Sequence, residues 1–78
     1  MGVTGYVLIQ TGVGKAAQVA DKVATLDGVA SADGVTGPYD VIVRVEADSV
    51  DELGRMVVDR IQLVDGVTRT MTCPVIHL

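Results

Sequence analysis

The chain has no tryptophan and no phenylalanine, and Tyr6 and Tyr39 are its only aromatic residues. RNA-binding sheets need aromatic side chains on which bases can stack, so that function is set aside. Cys73 is the sole cysteine, which rules out an internal disulfide staple. Lys and Arg number six against ten Asp and Glu, for a net charge of −4. The cations are scattered from Lys15 to Arg69, whereas a phosphate backbone is gripped by clustered ones, so no direct nucleic-acid contact is expected. No run approaches the roughly 18 apolar residues of a membrane span, and the N-terminus lacks the basic start of a signal peptide. A lone cysteine without an export signal leads to the expectation of a cytoplasmic protein with no membrane partner.

What the chain does have is one phrase spoken twice. Leu26-Asp27-Gly28-Val29-Ala30-Ser31 returns as Val64-Asp65-Gly66-Val67-Thr68-Arg69. Each copy follows a segment of helical period and opens a strand-like run, and each helical segment has a strand-like run before it. The order is β-α-β-β-α-β, the ferredoxin-like plan of an α+β fold: a four-stranded antiparallel sheet with two helices on one face. Residues 1–78 leave room for a single domain. A chain of this size buries only about 60–65% of its unfolded surface, which is marginal for a lone domain. Hydrophobic residues make up 49% of it, with a mean hydropathy of +0.44. With one sheet face left over, that apolar excess points to a homo-oligomer in which a second copy covers the face.

Along the chain, Val3 to Gln10 reads as a first strand. Ala16, Val19, Ala20 and Val23 fall at helical spacing, with Gly28 as the stop. Val29 to Thr36 is a strand low in bulk, suited to an edge or a bend. Tyr39 to Ala47 is the strongest strand, Val41, Val43 and Val45 alternating with Ile42, Arg44 and Glu46. Ser49 and Glu52 form a capping box, after which Leu53, Met56, Val57, Ile61 and Val64 line one helical face. Gly54 inside that helix costs about 1 kcal/mol against Ala, so a close packing contact is expected there. In the last strand, Val67 to His77, Met71, Cys73 and Val75 fall on one side and Thr68, Thr70 and Thr72 on the other.

Most candidate chemistry dissolves on spacing. Gly12-Val13-Gly14-Lys15 lacks the full phosphate-loop pattern and reads as a strand-to-helix turn. Cys73 and His77, four apart on a strand, have α-carbons ~13 Å apart, too far for a nucleophile and its base. Cys73 is therefore expected as a small core residue and His77 as a chain-end residue. A metal site wants three or four converging ligands, so neither a metal nor a cofactor is expected. Asp40 and Glu46, ~20 Å apart along a strand, cannot share acid–base work. Arg44 and Glu46 read as a same-face ion pair. No catalytic constellation emerges, and the chain is not expected to be an enzyme.

The turn Thr36-Gly37-Pro38-Tyr39-Asp40 joins the two halves and is chemically richer. Tyr39 offers an aromatic wall with a polar tip, and Asp40 an acceptor for an ammonium group. The bland alternative is a connecting turn in which Asp40 bonds its own backbone.

These residues carry a family resemblance. Val35-Thr36-Gly37-Pro38-Tyr39-Asp40, the Val-Ile-Val-Arg-Val strand, the capped helix and Asp-Gly-Val-Thr-Arg-Thr-Met-Thr resemble the effector-binding (RAM) domain of the leucine-responsive (Lrp)/AsnC regulators. The likeness covers essentially the whole chain, which begins at the first strand and so looks like a stand-alone version without the DNA-binding domain. It implies dimers whose sheets face each other as a dimeric α+β barrel, assembled into octamers or decamers. It further implies binding of amino acids or related effectors in clefts between dimers, with co-assembly with full-length Lrp/AsnC regulators as a further route of action. Carried over residue by residue, the site falls on Gly37, Tyr39 and Asp40, with Thr70 and Thr72 on the last strand. Pro38 departs from the family's usual polar residue and removes one backbone donor. The function expected is non-enzymatic effector binding in transcriptional regulation of amino-acid metabolism. The alternatives are a small cofactorless oxygenase or cyclase on the same fold, by fold analogy, and a ligand-free assembly module.

Overall fold

The computed structural model describes residues 2–78. Strand β1 spans Val3–Thr11, helix α1 Ala16–Val23, β2 Val29–Gly34 and β3 Val41–Ala47; helix α2, Val50–Met56, runs into a π-helical turn, Val57–Ile61, and β4 spans Val67–Pro74. The four strands form one antiparallel sheet in the order β2-β3-β1-β4. The element order, β-α-β-β-α-β, is the one expected from the duplicated phrase.

Alternation sorts the strands onto two faces. Val7, Ile9, Val41, Val43 and Val45 turn toward the helices and are fully buried. They meet Val19 and Val23 of α1, Leu53 and Met56 of α2, and Val57 and Ile61 of the π turn. Among the described residues no polar or charged residue is buried in this core. The other face carries Tyr6 and Leu8 of β1 beside Ile42, Arg44 and Glu46 of β3 and Met71 and Cys73 of β4, as the pairings Tyr6↔Arg44, Leu8↔Ile42, Leu8↔Met71 and Tyr6↔Cys73 require. Tyr6 and Met71 are exposed there, 40% and 51%. Among the described residues no helix packs on this face.

The duplicated phrase has a backbone cause. In each copy the residue after glycine donates its N–H to the carbonyl three positions back, Val29 to Leu26 and Val67 to Val64. Gly28 and Gly66 both take positive φ, 88° and 100°, a region that a Cβ disfavours. A Cβ on Gly66 would stand 2.9 Å from Val19 Cγ2, and one on Gly28 3.0 Å from the Glu46 carbonyl oxygen. Left-handed backbone and close approach thus demand glycine twice.

Several expectations need correction. Helix α1 ends at Val23, earlier than Gly28, because Thr25 and Leu26 donate to carbonyls three residues back and tighten the exit. Gly28 shapes the turn into β2 instead. Strand β4 stops at Pro74, short of His77: one further bond, Val75 N–H to the Thr4 carbonyl, closes the pairing. Gly54 makes no close contact, since a Cβ there would meet nothing within 4 Å. The close approach lies across the layer at Gly5, whose added Cβ would stand 2.9 Å from Leu53 Cδ2. Cys73 is exposed on the uncovered face, not in the core. As expected, β2 lies at an edge, with a register shift between Val29 and Ser31. Ser49 Oγ accepts the Glu52 N–H at 3.1 Å, the Ser49 half of the capping box.

Candidate effector site

Asp40 sits where three strands meet. Its N–H donates to the Ile9 carbonyl of β1, and its carbonyl accepts the N–H of Val35, just past β2, both at 2.9 Å. Its carboxylate reaches the end of β1, where Oδ2 accepts the Thr11 N–H at 2.8 Å and the Thr11 hydroxyl at 3.2 Å. The main-chain register of β1 with β3 ends at Ile9↔Val41, so a side-chain oxygen continues the ladder for one more donor. Asp40 Oδ1 takes no hydrogen bond from the described residues, and no side-chain polar atom buried among them lacks a partner. Oδ1 is therefore not sealed from solvent.

The preceding residues fold over the uncovered sheet face. Gln10 Nε2 donates to the Pro38 carbonyl at 3.0 Å. The Tyr39 hydroxyl lies 3.5 Å from Met71 Sδ on β4, beyond the intervening β1. Tyr39 and Asp40 are half-buried, while Gly37 and Pro38 are exposed. Gly37 holds φ 128°, and a Cβ there would meet no atom within 4 Å. Backbone geometry, not crowding, asks for glycine at that position.

Thr70 and Thr72 stand elsewhere. They pair with Ile9 and Val7, the core-facing residues of β1, and so lie on the helix side of the sheet. Together with Val50, Leu53, Gly54, Val57, Val58, Gln62 and Pro74 they line a shallow groove of about 280 Å³ between α2 and edge strand β4. Gln62 Nε2 donates to Thr70 Oγ1 at 2.9 Å. Gly37, Tyr39 and Asp40 share the turn before β3, while Thr70 and Thr72 lie on the helix side, across the sheet from Tyr39.

The other candidates stay apart. Lys15 N–H donates to the Gly12 carbonyl in a plain strand-to-helix turn. His77 is exposed beyond β4. Arg44 and Glu46 share the uncovered face. Among the described residues no three His, Cys, Asp or Glu side chains converge as metal ligands, and no helix is long and apolar enough to cross a membrane.

The family model of the Lrp/AsnC ligand binding domain matches residues 4–77. This chain belongs to that family. An HTH-type transcriptional regulator of Pyrococcus abyssi is 32% identical over 76 residues, covering 92% of this chain and 50% of the regulator. The chain thus spans about half the length of the curated relatives it matches. Among solved structures, a protein of Thermus thermophilus shares 33% identity at a TM-score of 0.90, with 97% of this chain and 95% of that one covered. AsnC of E. coli shares 26% at 0.88, covering 97% and 52%. A Neisseria meningitidis regulator described as an L-Met complex shares the fold at a TM-score of 0.84, with 17% identity and coverage of 96% and 50%.

Against the Lrp/AsnC frame, the residues that sequence reasoning passed over are Gln10 and Thr11. They hold Pro38 and Asp40 on either side of Tyr39. A polar pair closing a strand otherwise rich in Val, Leu and Ile was the available signal. Gln62, which caps Thr70, carried none, because the helix-to-strand connection that places it is set by packing.

Proposed function

We propose that this domain is a non-enzymatic amino-acid-binding and oligomerisation module, acting in transcriptional regulation of amino-acid metabolism. It works in the cytoplasm through effector-dependent assembly, or by co-assembly with full-length Lrp/AsnC regulators. The observation that carries the reading is Asp40, whose Oδ2 is tied to Thr11 while Oδ1 takes no bond from the described residues. A fixed carboxylate with one free oxygen is a ready acceptor for an ammonium group, and such charge-assisted bonds are the strong ones. The Neisseria regulator, described as an L-Met complex, supports an amino acid as the class of effector.

The uncovered face, with Tyr6, Leu8, Ile42 and Met71 toward solvent, is the surface on which a second copy packs to form the dimer; dimers then assemble into octamers or decamers. Because Tyr39 reaches over the uncovered face to Met71 while Thr70 and Thr72 lie on the helix side, a ligand touching Tyr39 and the threonines bridges two copies. Such a ligand shifts assembly by its differential affinity for the joined and separate states.

Native mass spectrometry of the chain, alone and with each of the twenty amino acids, tests this. A multiple of dimers that retains one amino acid is expected. A bare dimer indifferent to all twenty would reduce Tyr39 and Asp40 to turn residues.

A further inference from the structure

We propose that Thr11 is a positioning residue for effector recognition: it turns the Asp40 carboxylate so that Oδ1 alone faces the ammonium group of a free amino acid. The inference rests on the amino-acid reading above and assigns a role within it. Three observations carry it. Both donors of Thr11, the backbone N–H at 2.8 Å and the hydroxyl at 3.2 Å, converge on the same oxygen, Oδ2. Two donors on one oxygen fix the carboxylate plane, where a single donor would leave it free to swivel about that bond. Oδ1 has no hydrogen-bond partner among the described residues and is not sealed from solvent.

The third observation is the register of the strand end. Gln10 pairs with Arg69 but Thr11 with Val67, so Thr68 is an extra residue on β4, and its hydroxyl donates to the Gln10 carbonyl at 3.1 Å. Irregularities of this kind re-aim the side chains beside them. Here the irregularity falls at the residue that holds Asp40. With Gln10 fastening Pro38, the end of β1 holds the turn on both sides of Tyr39.

Thr11→Val tests the role, because it removes the hydroxyl while keeping the backbone N–H and a β-branched shape suited to a strand end. Thr11→Ser restores the hydroxyl. Each of the twenty L-amino acids is titrated calorimetrically into the parent chain. The tightest binder and its des-amino analogue, with hydrogen in place of the ammonium, are then titrated into both variants. The expected result is that Thr11→Val weakens the amino acid about tenfold, the order of one hydrogen bond to a charged group. The analogue's affinity stays unchanged, and Thr11→Ser returns the amino acid to parental affinity. Equal weakening of both ligands would make Thr11 a merely structural residue and overturn the proposal, as would no weakening of either. Either result would leave the amino-acid reading standing. A parent chain that binds none of the twenty would overturn that reading and this proposal together.

Discussion

Gly54 and Gly5 sit on facing elements and respond to the same added methyl group in opposite ways. In α2, a Cβ on Gly54 meets nothing within 4 Å, so Gly54→Ala gains the helix-propensity difference of about 0.8–1 kcal/mol without a steric cost. On β1, a Cβ on Gly5 stands 2.9 Å from Leu53 Cδ2 and 3.6 Å from the Cys73 carbonyl oxygen. Leu53 is 1% exposed, so its methyl cannot swing into solvent, and overpacking a filled core costs about 1–3 kcal/mol. For a domain of this size 1 kcal/mol moves the thermal midpoint by about 4–8 °C. Gly54→Ala should therefore raise the midpoint by about that much, and Gly5→Ala should lower it by at least as much. Far-UV circular dichroism reads both, at one fixed protein concentration so that any contribution from association is held constant. A fall for Gly54→Ala would refute the reasoning and mean that the groove beside β4 is filled when the protein assembles. No change for Gly5→Ala would mean that Leu53 repacks at no cost.

Three further outcomes follow from the same contacts. Asp40→Asn weakens the two bonds from Thr11 that end on a charged oxygen and should cost about 1–2 kcal/mol in urea unfolding; an unchanged urea midpoint would refute the pinning of β1 to the turn. Any loss of effector response in that variant must accordingly be read beside its stability. Gly66→Ala puts a Cβ on left-handed backbone against Val19 and should lower the thermal midpoint more than Gly5→Ala does; a milder effect would show that the turn can relax to negative φ. Met71→Glu puts a charge beside Leu8 and Tyr39 on the uncovered face and, if a second copy packs there as proposed, should shift the sedimentation profile toward monomer; an unchanged profile would overturn that packing.

The fold was legible because period and repetition are local. The alternation of Val41, Val43 and Val45 with Ile42, Arg44 and Glu46 names the two faces of β3, and hydrophobic burial acts on that alternation directly. The paired Asp-Gly phrases mark the two helix-to-strand turns because positive φ is a property of one residue and its neighbours. The family could be named for the same reason, since its turn Val35–Asp40 and its closing strand are continuous stretches of chain.

The tertiary structure alone decided which glycine is crowded and where the site residues lie relative to one another. Gly54 drew attention as a helix breaker, yet the crowding is at Gly5, because close approach depends on which strand passes beneath Leu53. Cys73 ended on the uncovered face because β4 pairs with β1 in the register Tyr6↔Cys73. Thr70 and Thr72 stand across the sheet from Tyr39 through that same pairing. Thr11 reaches Asp40 across 29 positions of sequence. Periodicity carries no information about such a contact; it exists only once the end of β1 and the turn before β3 have been brought to the same corner of the sheet.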